Sequence, residues 1–271
     1  MSDPKENGQC SKPGLGCFVI AWISVATIAL ILSYFIARSN GDVSFIVPSI
    51  SDTTYKDPEG AIFAEFFNAT AILTLVMMAV RYFQVKMINR EIEGSKSSPL
   101  SQLNLLSNVF GLGSALGVSV VANFRSREVD NPLSAVHIIG AVLLFVSGAA
   151  YCWTQTFITY QLTKFNVNTK TMFLVRLVIS SLLSLNVLIF LVCGGFDSRT
   201  SMIKPIEIAG NVAEWVAAWC FGAFGISFCK EFQKLSLNIQ CIPKCSGKNS
   251  DALKYSTIPV TGADENTTDS E

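Results

Sequence analysis

The sequence predicts an all-α, polytopic membrane protein with six transmembrane helices in one bundle. Three observations lead there. Half of the 271 residues are hydrophobic and only 15% are charged, against about 25% charged in soluble domains. Six apolar stretches of at least 20 residues are separated by short polar connections, and about 20 residues suffice to cross a hydrocarbon core about 30 Å thick. None alternates as the roughly ten-residue strands of a membrane barrel do, so backbone groups in lipid have to be satisfied within helices.

Taken in order, residues 1–15 form a polar arm with Pro4, Gly8, Pro13 and Gly14, read as a disordered N-terminal segment. The first span, 16–37, is too long for a signal-peptide core and lacks a small-residue cleavage site after it. Spans 61–80, 103–122, 135–159, 173–193 and 206–229 follow, making 16–229 one transmembrane domain, and 230–271 is a polar tail. The third span carries Gly113-x-x-x-Gly117, and the fourth carries Gly140, Ala141, Ser147, Gly148 and Ala149. Small residues at such spacing let helices approach closely. Packing within the chain is the first expectation and dimerisation the second.

An even number of spans puts both termini on one side. Thirteen Lys and Arg lie in the two termini and the second and fourth connections, against six in the other three connections. Basic residues mark the cytosolic side, so both termini are expected in the cytosol. The three outer connections contain no cysteine, which argues against a disulfide-stapled ectodomain. Cys17 and Cys229, at membrane borders, are palmitoylation candidates beside the simpler reading of idle thiols. Zero net charge removes the basic footprint of a nucleic-acid binder. A single His and the lack of G-x-S-x-G, H-E-x-x-H and P-loop motifs leave no catalytic, metal or cofactor candidate.

Polar residues inside the spans are the first candidate site. Glu65 and Asn68 share a face of the second span; Glu207, Asn211 and Glu214 share a face of the sixth; His137 opens the fourth. Glu65, His137, Glu207 and Asn211 lie in the outer half of the expected topology, and Glu214 nearer the middle. They serve either as interhelical hydrogen bonds or as a titratable cluster of His137 with Glu65 and Glu214. Arg176, in the first inner turn of the fifth span, is expected to snorkel to the cytosolic headgroups. Phe228, Phe232 and Leu235 recur at helical spacing, suggesting a helix continuing along the inner membrane face.

The second candidate site is the first outer connection, with Pro48, Ser51, Asp52, Thr53, Pro58 and Glu59. The prolines restrict the loop, and Ser51 and Asp52 suit local turns. Glu59 suits the positive end of the following helix. The loop is either a rigid capped hairpin or a recognition surface for a luminal partner or lipid headgroup.

The arrangement Pro48-x-Ile50-Ser51-Asp52-Thr53, then Pro58-Glu59-x-x-Ile62-Phe63, resembles the DRAM family, the DNA damage-regulated autophagy modulators. Arg81-Tyr82, Val121-Ala122-Asn123-Phe124, His137 with Gly140-Ala141, Gln155 with Tyr160, Glu214-Trp215 and Glu231-Phe232-Gln233-Lys234 follow in matching order. The resemblance runs from about Phe18 to Leu237. It implies a six-span lysosomal or endosomal protein that promotes autophagy, without a catalytic residue, acting through an autophagy or lipid-kinase partner. It also implies kinship with plasma-membrane proteins that recruit phosphoinositide kinase or organise lipids, the first alternative. A small transporter or channel using the polar cluster is the second. Thr54, where a Gly is common, the short third outer loop and the individual tail depart from the pattern. In the tail, Tyr255-x-x-Ile258 has the form of a sorting signal read by a cytosolic adaptor.

Overall fold

The structure is a computed structural model that describes residues 14–44, 47–93, 98–125, 132–196 and 204–236. The chain divides into two units, 1–236 and 237–271, and the described residues all belong to the first. The described part is helical, and six helices are long and apolar enough to cross a membrane.

Helix α1 (Gly16–Ser39) ends where Gly41 takes the left-handed backbone at φ 77°, a conformation glycine adopts without steric cost. A single 3₁₀ turn, Asp52–Thr54, interrupts the loop to α2 (Glu59–Glu93). Next come α3 (Pro99–Asn123), α4 (Pro132–Val142) and α5 (Gly148–Thr163). A π-helical segment, Leu143–Ser147, joins α4 and α5 into one span. The chain continues through α6 (Lys170–Phe196), α7 (Lys204–Ile226) and a final turn, α8 (Cys229–Phe232).

The helices overrun the apolar stretches that foretell them. The second span, expected to stop at Val80, continues to Glu93, so α2 is about 52 Å long at 1.5 Å per residue. The extension is amphipathic. Val85, Ile88 and Ile92 pack with Leu100, Leu103, Ile158 and Leu162, while charged Arg90 and Glu91 are exposed. Pro99 occupies the first turn of α3, and the Ser98 hydroxyl accepts from the Ser101 N–H at 3.2 Å. That is N-terminal capping of the expected chemistry.

The spans form a ring. α1 packs on α2, α2 on α3, α3 on the α4–α5 span, α5 on α6 and α6 on α7. The ring closes between α7 and α1, its most sparsely contacted junction, with α8 also resting on α1. Leu15 N–H bonds to the carbonyls of Phe232 and Leu235. The beginning and end of the described chain therefore meet at one end of the bundle, the termini end. The other end carries the 47–58 loop.

The small-residue positions of α3 are used inside the chain. A Cβ on Gly117 would lie 2.3 Å from the Leu144 backbone nitrogen, and one on Gly113 would lie 2.9 Å from Ser147 Oγ. The Ser114 hydroxyl donates to Leu144 O at 3.2 Å. That carbonyl belongs to the π-helical segment, where the backbone ladder is locally rearranged.

Candidate functional site: a lidded axial cavity above a buried arginine pair

The 47–58 loop folds inward. Its turn is tied internally by hydroxyls. Asp52 N–H donates to Ser49 Oγ at 3.0 Å, Thr53 Oγ1 donates to Ile50 O at 2.8 Å, and Thr54 Oγ1 donates to Ser51 O at 3.1 Å. Ser49, Thr53 and Thr54 supply these hydroxyls. The Ser51 hydroxyl is directed instead to His137 Nε2, at 3.0 Å.

Three further bonds anchor this turn to α7. Ile50 N–H donates to Glu214 Oε2 at 2.9 Å, Trp215 Nε1 donates to Pro48 O at 2.8 Å, and Asn211 Nδ2 donates to Val47 O at 3.1 Å. His137 Nδ1 lies 2.7 Å from Phe124 O, an atom that can only accept. Nδ1 is therefore the donor, and Nε2 of the neutral ring accepts from Ser51. Arg125 Nη1 holds Thr54 O at 3.3 Å and the Asp57 carboxylate at 3.1 Å. Asn40 Nδ2 donates to buried Glu59 at 3.4 Å. Lys56 pairs with Asp42, and that hydrogen bond raises the lysine's pKa above its ordinary range. The Asp57–Pro58 peptide is cis.

The six intramembrane polar candidates do not form one cluster. Glu214, His137 and Asn211 hold the loop. Asn68 turns to α3, accepting from Ser119 Oγ at 2.8 Å and bonding Asn123 at 3.1 Å. Glu65 and Glu207 are exposed, Glu207 in the first turn of α7. A shared depth does not give a shared azimuth, and the His137–Glu65–Glu214 grouping fails on that point.

Beneath the loop, on the bundle axis, is a cavity of about 170 Å³. Ile50, Ser51 and Thr54 close its loop end, and Phe228 and Phe232 lie at its termini end. The walls come from α1, α2, α3, the α4–α5 span and α7, and are mostly apolar.

Past Phe228 comes a feature that the sequence reading missed. Arg81 and Arg176 are 1% and 0% exposed, and both donate to the Glu231 carboxylate, each at 2.6 Å. The Phe228 ring lies 4.0 Å from the Arg176 guanidinium and 4.9 Å from that of Arg81, within cation–π range. Arg81 also donates to Gln155 and Gln84, at 2.9 and 2.7 Å. Arg176 donates to Ser227 Oγ at 2.9 Å and Thr159 Oγ1 at 2.6 Å.

Two expectations are corrected here. Arg176 does not snorkel, because Glu231 brings the counter-charge to it inside the bundle. Phe228 and Phe232 do not face the membrane surface; they are 2% and 1% exposed in the core. The helical path runs on from α7 through a turn at Ser227–Phe228 into α8, which packs on α1. One signal could have located the cluster: an arginine inside a span calls for a partner at its own depth, and Glu231 is the acid nearest that level in the next span's sequel.

Among the described residues no group of three or more His, Cys, Asp and Glu could hold a metal. Cys17 is exposed and Cys229 partly so. Tyr255 and Ile258 lie outside the described residues.

Comparison with known proteins follows the same path. Residues 14–235 match the Frag1/DRAM/Sfk1/Cwh43P N-terminal domain. The human DNA damage-regulated autophagy modulator protein 2 is 30% identical over 84% of this chain and 88% of its own length. The human DNA damage-regulated autophagy modulator protein 1 is 31% identical over 85% of this chain and 96% of its own. The zebrafish (Danio rerio) modulator of macroautophagy TMEM150B is 29% identical over 80% and 85%. No solved structure matches. With the loop motif, the paired arginines and Glu231 all inside the matched region, the chain belongs to the DRAM family within the wider Frag1/DRAM/Sfk1/Cwh43P group.

Proposed function

We propose that this chain is a non-enzymatic membrane protein of lysosomes or endosomes that modulates autophagy through protein or lipid partners. One observation carries the reading: relatives named for modulating autophagy align with at least four-fifths of the chain. In this reading the termini end faces the cytosol, as the basic residues there favour, and the 47–58 loop faces the lumen. Tyr255-x-x-Ile258 then lies where a sorting adaptor can reach it. The loop's side chains are largely spent on internal bonds and on anchoring the turn, which supports a rigid recognition surface over a mobile arm. The apolar walls of the axial cavity speak against passage of ions.

The test is autophagic turnover in cells lacking the protein. Degradation of a lysosomally cleared reporter should fall and return with the wild-type chain. Asp52→Ala, present at normal abundance, should fail to restore it if the loop is the recognition surface. Unchanged turnover in the null cells would contradict the reading, and residence of the tagged chain at the cell surface would favour the plasma-membrane adaptor.

A further inference from the structure

We propose that the axial cavity accommodates one acyl chain of a neighbouring phospholipid, which enters sideways through the seam between α1 and α7. The proposal rests on the packing alone and stands apart from the autophagy reading.

The cavity's dimensions suit a methylene chain. Along α2 its lining runs from Phe63 to Met78, about 22 Å at 1.5 Å per residue. The cavity is thus elongated along the bundle axis, the shape of a single extended chain. Apolar cavities of about 150 Å³ stay dry and take up apolar ligands.

Water has little reason to enter the middle of it. Most of the hydroxyls that line it are already engaged, those of Thr27 and Tyr151 being the exceptions. Thr70 donates to Phe66 O at 2.9 Å, Thr74 donates to Thr70 O at 2.8 Å and accepts from Trp22 Nε1 at 2.8 Å, and Ser114 donates to Leu144 O. A buried water needs two to four polar partners, and few remain there. The solvent around the ring at this depth is hydrocarbon.

Both ends are shut, by the 3₁₀ turn and by the two phenylalanines. The side is different. The α1–α7 junction is the sparsest in the ring. Trp219 lines the cavity and yet is 42% exposed, so its indole reaches from the axis to the lipid-facing surface. Toward the termini end the seam is closed by side chains, not backbone. A Cβ on Gly222 would meet Ile23 Cδ1 at 2.6 Å, and one on Gly225 would meet the Trp22 ring at 2.4 Å. Ile23 and Trp22 are half-buried side chains, so such a closure can part by their movement, with the Trp22 indole giving up its bond to Thr74, without unfolding a helix. Lateral entry leaves the headgroup in the interface, where it costs nothing to bury.

The test is photolabelling of the full chain in phosphatidylcholine vesicles that contain phosphatidylcholine with a mid-chain diazirine, with adducts mapped by mass spectrometry. Met77, Met78 and Phe145 line the cavity and are at most 8% exposed, so bulk lipid cannot reach them. Adducts are expected there as well as on lipid-facing Leu185 and Leu188. Ala218→Phe, which fills the cavity beside the seam, should reduce the cavity adducts about tenfold, equivalent to about 1.4 kcal/mol of binding, and leave those on Leu185 and Leu188 unchanged. Adducts confined to lipid-facing positions would overturn the proposal, whether or not the variant folds. So would a folded Ala218→Phe protein labelled like wild type. If diazirine palmitic acid labels the cavity and the phospholipid does not, the assignment to phospholipid falls.

Discussion

Glu231 is the single carboxylate that two buried guanidinium groups share. Removing one partner of a buried ion pair leaves uncompensated charge and costs about 3–5 kcal/mol. Glu231→Gln should therefore lower thermal stability in detergent sharply, whereas Glu65→Gln and Glu207→Gln, at exposed positions, should stay within about 0.5 kcal/mol of wild type. Equal melting temperatures for all three would contradict the cluster. At the loop end, His137→Phe removes two hydrogen bonds, each contributing about 1 kcal/mol. Amide exchange over Val47–Thr54 should accelerate while exchange in α6 is unaffected. Sequence reading at this scale identified which polar residues mattered by depth. It could not supply azimuth, so it grouped Glu65 with Glu214. It also left Arg176 without its partner, because Glu231 stood just past the last apolar residue and read as tail.

At the scale of elements, the apolar runs located all six spans. They underestimated the helices because hydropathy ends where amphipathicity begins: Val85, Ile88 and Ile92 are spaced among charged residues and only packing reveals them. The inward facing of Phe228 and Phe232 was equally hidden, since their spacing marks one helix face without saying whether that face meets the membrane surface or the core. The small residues of α3 were legible, and their use is now specific. Gly117→Leu would drive a side chain into the backbone of Leu144, and overpacking of this kind costs about 1–3 kcal/mol. The expected readout is a lower melting temperature, with Leu112→Ala, on an exposed position of the same helix, serving as the mild control. The loop is a lid because it is held from three sides: α7 binds the backbone of Val47, Pro48 and Ile50, His137 of the α4–α5 span binds the Ser51 hydroxyl, and Arg125 after α3 binds Thr54 O. Trp215→Phe removes the bond to Pro48 O while keeping an aromatic ring beside Tyr34. It should loosen the loop in amide exchange with little change in overall stability.

On the scale of the whole molecule, a ring of six spans with a lid at one end and both ends of the described chain at the other gives the two faces different tasks. The termini end holds the arginine cluster and leads to the tail, where Tyr255→Ala should shift the tagged protein toward the cell surface if the tail is read by a sorting adaptor. The opposite end presents a turn fixed by the bundle. That both ends of the described chain lie at one end was legible in the sequence as an even span count; closure of the ring through Leu15, Phe232 and Leu235 was not. The most direct test is accessibility mapping in sealed vesicles of known orientation, with tags at both termini and a single engineered cysteine replacing Asp52 in a cysteine-free chain. Protease added from the cytosolic side should remove both tags, and an impermeant maleimide should reach position 52 only from the other side. Tags on opposite faces, or a residue 52 labelled from the same side as the tags, would contradict the six-span bundle at its foundation.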